Sequence, residues 1–219
     1  MRAGIRYAAV AVALMASAPW PAGAQDRGMV LLQAASARYA PVSTLCANFV
    51  QQLAVPLLDD ERTARGRLCQ ARPNLFAMRF TDPAGDVLVV DGESVWYYLP
   101  SSDPKQAFRA SADAGTGGRD FHREFLEDPA SKYTVTYEGP ESMDGANMHR
   151  LRLVPRARAS YRAAVLWIEQ GTSLLRQIRL EEENGNRRTI TLSGIEFDVD
   201  PPSGWFVFTP PAGVLVLSR

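Results

Sequence analysis

The residues able to do chemistry are few, and their spacing limits what they can do. Ser43, Ser94 and Ser193 lack the strand–turn–helix setting of a nucleophile elbow, and neither His122 nor His149 lies beside a credible nucleophile. Glycine fingerprints for phosphate binding are missing. Asp86 and Asp91 could divide acid and base roles, yet each flanks a strand next to a turn, where aspartate is expected to bond the local backbone. Two cysteines and two distant histidines offer no ligand set at a metal-binding spacing, so neither a metal nor a cofactor is expected. The inventory points away from an enzyme.

Arg72 stands apart from this inventory. Pro73 biases the preceding residue toward an extended backbone, which launches the Arg72 side chain from a defined point near the rim of a sheet. A guanidinium turned into apolar surroundings must find acceptors, because a buried unpaired charge is costly. The free carbonyls at the end of a covering helix would serve. Arg72 would then be a latch, and filling the space beneath would offset its opening. An exposed strand-end arginine is the other reading of the same residues. Cys46 and Cys69 likewise leave two readings, one bridge in an oxidising compartment or two buried thiols.

The elements that position Arg72 are short strands. Arg65 to Pro100 reads as three or four of them, with Leu68, Phe76, Met78 and Phe80 on one face. In the strand Ser94 to Leu99, Val95, Tyr97 and Leu99 alternate with Trp96 and Tyr98, so both faces are apolar and both need cover. Met29, Leu32, Ala35 and Tyr39 recur at helical intervals over Gly28 to Tyr39, with Asp26 able to cap the start and Pro41 limiting the end. Phe121, Phe125 and Leu126 give a second short helix one apolar face, after a glycine-rich loop over Ala110 to Gly118. That helix is either a movable lid or a fixed plug. Further strands follow to Leu192, and Phe206 and Phe208 alternate in a last block before an edge strand at Val214 to Leu217. Ten or eleven strands with no βαβ rhythm indicate a mainly β fold: one large, curved antiparallel sheet with helical insertions.

The first 24 residues have the layout of a secretory signal, with Arg2 and Arg6, an apolar run from Tyr7 to Ala16 and a small-residue site at Ala22-Gly23-Ala24. The apolar run falls short of the roughly 20 residues that span a bilayer. Cleavage before Gln25 would leave 195 of the 219 residues as one expected domain, 25–219, soluble and outside the cytoplasm. That product carries 22 basic residues against 24 acidic, a balance that gives no warrant for nucleic acid as a partner.

Phe49-Val50-Gln51-Gln52, Gly66-Arg67-Leu68, Arg72-Pro73-Asn74-Leu75-Phe76, Asp91-Gly92, Val95-Trp96-Tyr97-Tyr98 and Phe206 to Val214 resemble, in order, the periplasmic outer-membrane lipoprotein carrier (LolA-like) family. The resemblance implies an incomplete, unclosed antiparallel β-barrel closed by helices over an apolar cavity that holds the acyl chains of a lipoprotein. It implies Arg72 as the lid latch, and an acyl-chain cavity lined by Leu68, Phe76, Met78, Phe80, Val95, Tyr97, Leu99, Phe206 and Phe208. The lid would comprise the helix with Met29 and Leu32 and the one with Phe121, Phe125 and Leu126. The implied partners are an ATP-driven inner-membrane release complex and an outer-membrane receptor, met by a monomer in the periplasm of a Gram-negative bacterium. Two other functions fit a lid over an apolar sheet: carriage of a different outer-membrane lipid, and a sensor or regulatory module that binds lipidated ligands without moving them.

Overall fold

The structure, a computed structural model, describes residues 22–112 and 120–218. Among these residues lie twelve strands: β1 (Thr44–Val55), β2 (Asp60–Ala71), β3 (Leu75–Asp82), β4 (Ala84–Asp91), β5 (Ser94–Tyr98), β6 (Gln106–Ser111), β7 (Tyr133–Met143), β8 (Ala146–Pro155), β9 (Tyr161–Glu169), β10 (Leu175–Glu182), β11 (Arg187–Phe197) and β12 (Leu215–Ser218). Helix α1 (Ala22–Tyr39) precedes them, and a π-helical segment (His122–Leu126) and α2 (Pro129–Lys132) lie between β6 and β7. The signal sequence expected over residues 1–24 and the glycine-rich loop fall largely outside the described residues.

The strands form one unclosed sheet in the order β12-β6-β5-β4-β3-β2-β1-β11-β10-β9-β8-β7. Its inner face, the one that carries α1, is built by alternation. Leu45, Ala47 and Phe49 of β1, Leu68 of β2, Phe76 and Met78 of β3 and Val95 of β5 are buried in one cluster with Leu32, Ala35 and Tyr39 of α1. The intervening residues point to the outer face, where Ala77, Val87 and Val89 form a second cluster under Trp96, Tyr98, Trp205, Phe206 and Phe208. The outer cover required by the Trp96 strand is therefore the segment between β11 and β12. Arg79 holds that segment down by donating to the carbonyls of Gly204, Trp205 and Val207.

Two glycines permit close approach. A Cβ on Gly28 would sit 2.9 Å from the Tyr137 nitrogen, so glycine lets α1 lie directly on β7. A Cβ on Gly66 would meet the Arg79 carbonyl at 2.2 Å and the Phe49 ring at 2.9 Å. The lack of a side chain at Gly66 lets Phe49 turn over β2 and meet Phe80 edge-on at 5.0 Å between centroids.

Several expectations need correction. α1 begins at Ala22, so Asp26 is an exposed interior residue rather than a cap. β1 and β2 pair as far as Val55 with Asp60 and are joined by a single 3-10 turn at Pro56–Leu58. Phe206 and Phe208 belong to no strand, because they lie flat across the outer face and find no ladder to join. The described residues hold twelve strands, and the twelfth pairs parallel with β6, since the chain reaches that edge by crossing the outer face. Cys46 and Cys69, directly opposite on β1 and β2, are bridged.

Candidate functional site

Arg72 sits at the corner between β2 and β3, at the end of the sheet where Thr44 pairs with Ala71. The residue as a whole is exposed at the rim, but its guanidinium reaches inward to three groups. Nε donates to the Val42 carbonyl at 2.9 Å, and Nη2 donates to the Tyr39 carbonyl at 3.3 Å. Both carbonyls lie at or just past the end of α1, where no further helical turn supplies donors. The third group is His122 Nε2, 2.9 Å from Nη2. A guanidinium only donates, so Nε2 accepts and the ring is neutral with its proton on Nδ1. Arg72 thus ties α1 to the π-helical segment.

Burial and the Arg72 charge push the His122 pKa below its ordinary value; Lys132 adds to this and Glu127 opposes it. Asp120, two residues earlier, is raised by burial to about 6, against the Arg123 amide and charge that favour its ionised form. Tyr39 completes this corner. Its hydroxyl accepts from the Leu175 amide at 3.2 Å, its ring meets Phe121 edge-on, and burial pushes its pKa up to about 12.

The π-helical segment has a second attachment. Glu124 Oε1 lies within hydrogen-bond reach of the hydroxyls of both Tyr133 and Tyr161, which are 2.8 Å from each other, so two hydroxyl protons are shared among three contacts. Burial first, and the Glu124 carboxylate with it, raises both tyrosines. Phe125 lies between the same two rings, with centroids 6.0 Å from each, and Ser36 of α1 donates to the Leu126 carbonyl.

The expected cavity residues divide three ways. Leu68, Phe76, Met78 and Val95 are fully buried beneath α1 and the π-helical segment, together with Leu32, Phe121, Phe125 and Leu126. Met29, Phe80 and Tyr97 are half-buried at the margin of that cluster. Phe80, Tyr97 and Leu99, with Leu53 and Leu88, line an open cavity of about 510 Å³ whose rim carries Arg62, Asp82 and Arg188. This mouth lies at the far end of β2 and β3 from Arg72, about 20–30 Å along the strands by their rise per residue. Phe206 and Phe208 are the exceptions. They face away from this space, because the sheet itself lies between.

Asp86 and Asp91 are both committed to local structure. Asp86 accepts from the Ser101 amide and hydroxyl, and Asp91 from the amides of Glu93 and Ser94 and the Trp96 indole. Partial burial works to raise the Asp91 pKa, but these donors outweigh it and hold the carboxyl below the usual range. Among the described residues no group of three or more metal-ligating side chains converges, and no helix is long and apolar enough to cross a membrane. Sequence reasoning missed His122 as a partner of Arg72 and the Glu124–Tyr133–Tyr161 group. The signal for the first was a histidine inside an otherwise core-facing aromatic turn; the second has no local signature.

The family model for "Outer membrane lipoprotein carrier protein LolA" matches residues 40–209. An outer-membrane lipoprotein carrier protein of Neisseria meningitidis serogroup C is 32% identical over 162 residues, covering 72% of this chain and 73% of its own. One from Shewanella sediminis is 30% identical over 190 residues, 81% of each chain. Among solved structures, an uncharacterized conserved protein from Thermus thermophilus matches with a TM-score of 0.55 at 12% identity, covering 88% of this chain and 99% of that one. That likeness is one of fold alone. With the family model spanning the sheet from β1 to its outer cover, and Arg72 joined to the two helical elements over an apolar face, the chain belongs to the LolA family of outer membrane lipoprotein carrier proteins.

Proposed function

We propose that this protein is a periplasmic carrier that takes up the acyl chains of lipoproteins and moves them from the inner to the outer membrane. The observation that carries the reading is the pairing of an apolar inner face with a cover held by few polar contacts. α1 and the π-helical segment seal Leu68, Phe76, Met78 and Val95 from water, and Arg72 joins the two covering elements at one corner. Moving the cover would open a hydrophobic surface onto which acyl chains partition, at about 0.8 kcal/mol per buried methylene. The mouth lined by Phe80, Tyr97 and Leu99 gives those chains a way in. In this reading the protein is a monomer that receives cargo from an ATP-driven inner-membrane release complex and delivers it to an outer-membrane receptor, without catalysing a reaction. The decisive experiment incubates the purified protein with inner-membrane vesicles bearing an acylated lipoprotein and follows its release and delivery to outer-membrane vesicles. Failure to solubilise the lipoprotein, with only non-protein lipid found in the purified chain by mass spectrometry, would overturn the assignment.

A further inference from the structure

We infer that His122 makes the closed cover proton-sensitive: neutral, it accepts a hydrogen bond from Arg72 across 2.9 Å; protonated, it becomes a second cation at that distance and lets go. The inference rests on the reading of Arg72 as the latch.

The geometry leaves no state in which a charged His122 and Arg72 share this bond. The guanidinium has five N–H donors and no acceptor, and an imidazolium has two donors and no acceptor. His122 is only 7% exposed, so water gives the added charge little relief. The groups around the ring bias it in the same direction on balance. Arg72, from the β2–β3 corner, and Lys132, at the end of α2, oppose a second positive charge; Glu127, at the end of the π-helical segment, favours one. From α1 the neutral Tyr39 ring faces it, with centroids 6.4 Å apart. Releasing Arg72 from His122 removes the polar tie between the π-helical segment and the corner that holds the end of α1, leaving Ser36 and the Glu124 group to carry the segment.

The direction follows from linkage. A histidine whose pKa is depressed in the closed form contributes its full stabilisation above the ordinary value near 6.5, and loses it as pH falls through that value toward the closed-state one. Within that window the ratio of open to closed protein rises by up to about tenfold per pH unit, which amounts to about tenfold between pH 7.5 and 5.5. Asp120 titrates nearby with the opposite sign. Its pKa is raised to about 6 by burial, so protonation on acidification relieves a buried charge and favours closure. His149 on β8, whose pKa burial and Arg27 of α1 likewise hold down, acts in the same direction as His122, and Asp120 opposes both; substitution separates the three.

The test follows hydrogen exchange in α1, corrected for the intrinsic pH dependence of exchange, and the affinity for dansyl-undecanoic acid at pH 7.5 and 5.5. The wild-type chain opens on acidification, and Asp120→Asn opens further, approaching the tenfold limit. His122→Gln keeps an acceptor for Arg72 but cannot titrate, so its acid-dependent opening falls to what His149 supplies and is abolished when His149→Gln is added; His122→Lys is open at both values. A wild-type chain whose α1 protection does not fall with pH, or a folded His122→Gln that opens as the wild type does, overturns the inference. Arg72→Leu separates this failure from that of the latch itself. If Arg72→Leu leaves α1 protection unchanged at both values, the latch reading has failed; if it opens α1 while His122→Gln behaves as wild type, only the role of His122 has.

Discussion

Replacing Arg72 with leucine removes three contacts that hold the cover down, and their geometry sets the size of the effect. Bonds to a charged donor are each worth about 1.5–3 kcal/mol when shielded. Here the Tyr39 bond is long at 3.3 Å, the Tyr39 carbonyl keeps a second donor in the Val42 amide, and Arg72 is exposed enough for water to compete. About 2 kcal/mol for the whole set is a fair figure, which shifts the closed–open ratio about 30-fold. In the proposed cycle only the open form binds acyl chains, so that ratio is also a tax on affinity. The Arg72→Leu chain should therefore bind a fluorescent acyl probe up to about 30-fold more tightly and hand it to acceptor liposomes correspondingly more slowly. Arg72→Lys, which keeps the charge but not the planar fork, should fall between. Equilibrium titration, stopped-flow release and amide exchange of α1 read the three quantities independently. A folded Arg72→Leu chain with wild-type affinity, release rate and α1 protection would refute the latch.

Phe125→Asp places a carboxylate between the Tyr133 and Tyr161 rings, where Phe125 is fully buried, and should weaken acyl-probe binding at least about tenfold; undiminished binding would put this segment outside the cavity. Gly66→Ala drives a methyl against the Arg79 carbonyl, a backbone atom that cannot swing away, and should cost about 3 kcal/mol by chemical denaturation. A wild-type denaturation midpoint for that variant would show that β2 and β3 can separate freely. Replacing Cys46 and Cys69 together by alanine reopens a 23-residue separation in the unfolded chain and should lower stability by about 3 kcal/mol, measured by the same method, with acyl binding retained.

What could be read from the sequence was what alternation and local backbone rules decide. Val95 and Tyr97 on one face and Trp96 and Tyr98 on the other followed from a period of two, and so did the need for cover on both sides. Arg72 was conspicuous because Pro73 restricts it. Alternation failed at Phe206 and Phe208 for a physical reason. Trp205 to Phe208 has the spacing of a strand, but it is flanked by Pro201-Pro202 and Pro210-Pro211 and reaches no ladder, so its aromatic side chains pack down onto the outer face of β3, β4 and β5. His122 was passed over because its partner lies 50 residues away and is chosen by tertiary packing. The same holds for Glu124, whose two tyrosines arrive from β7 and β9.

The position of β1 has a consequence for how the chain acquires its shape. It lies in the middle of the sheet, bonded on one side to β2, its neighbour in sequence, and on the other to β11, as in the pairing of Phe49 with Leu192. The edge of β6 is covered later still, by β12. Contacts between segments so distant in sequence form slowly, because a long loop must close before any of its pairings stabilise it. Until β11 and β12 have been delivered, the chain carries open ladders at both β1 and β6, and each is a template for a foreign strand. A chain truncated before Arg187 should accordingly be an aggregating fragment rather than a smaller version of this fold.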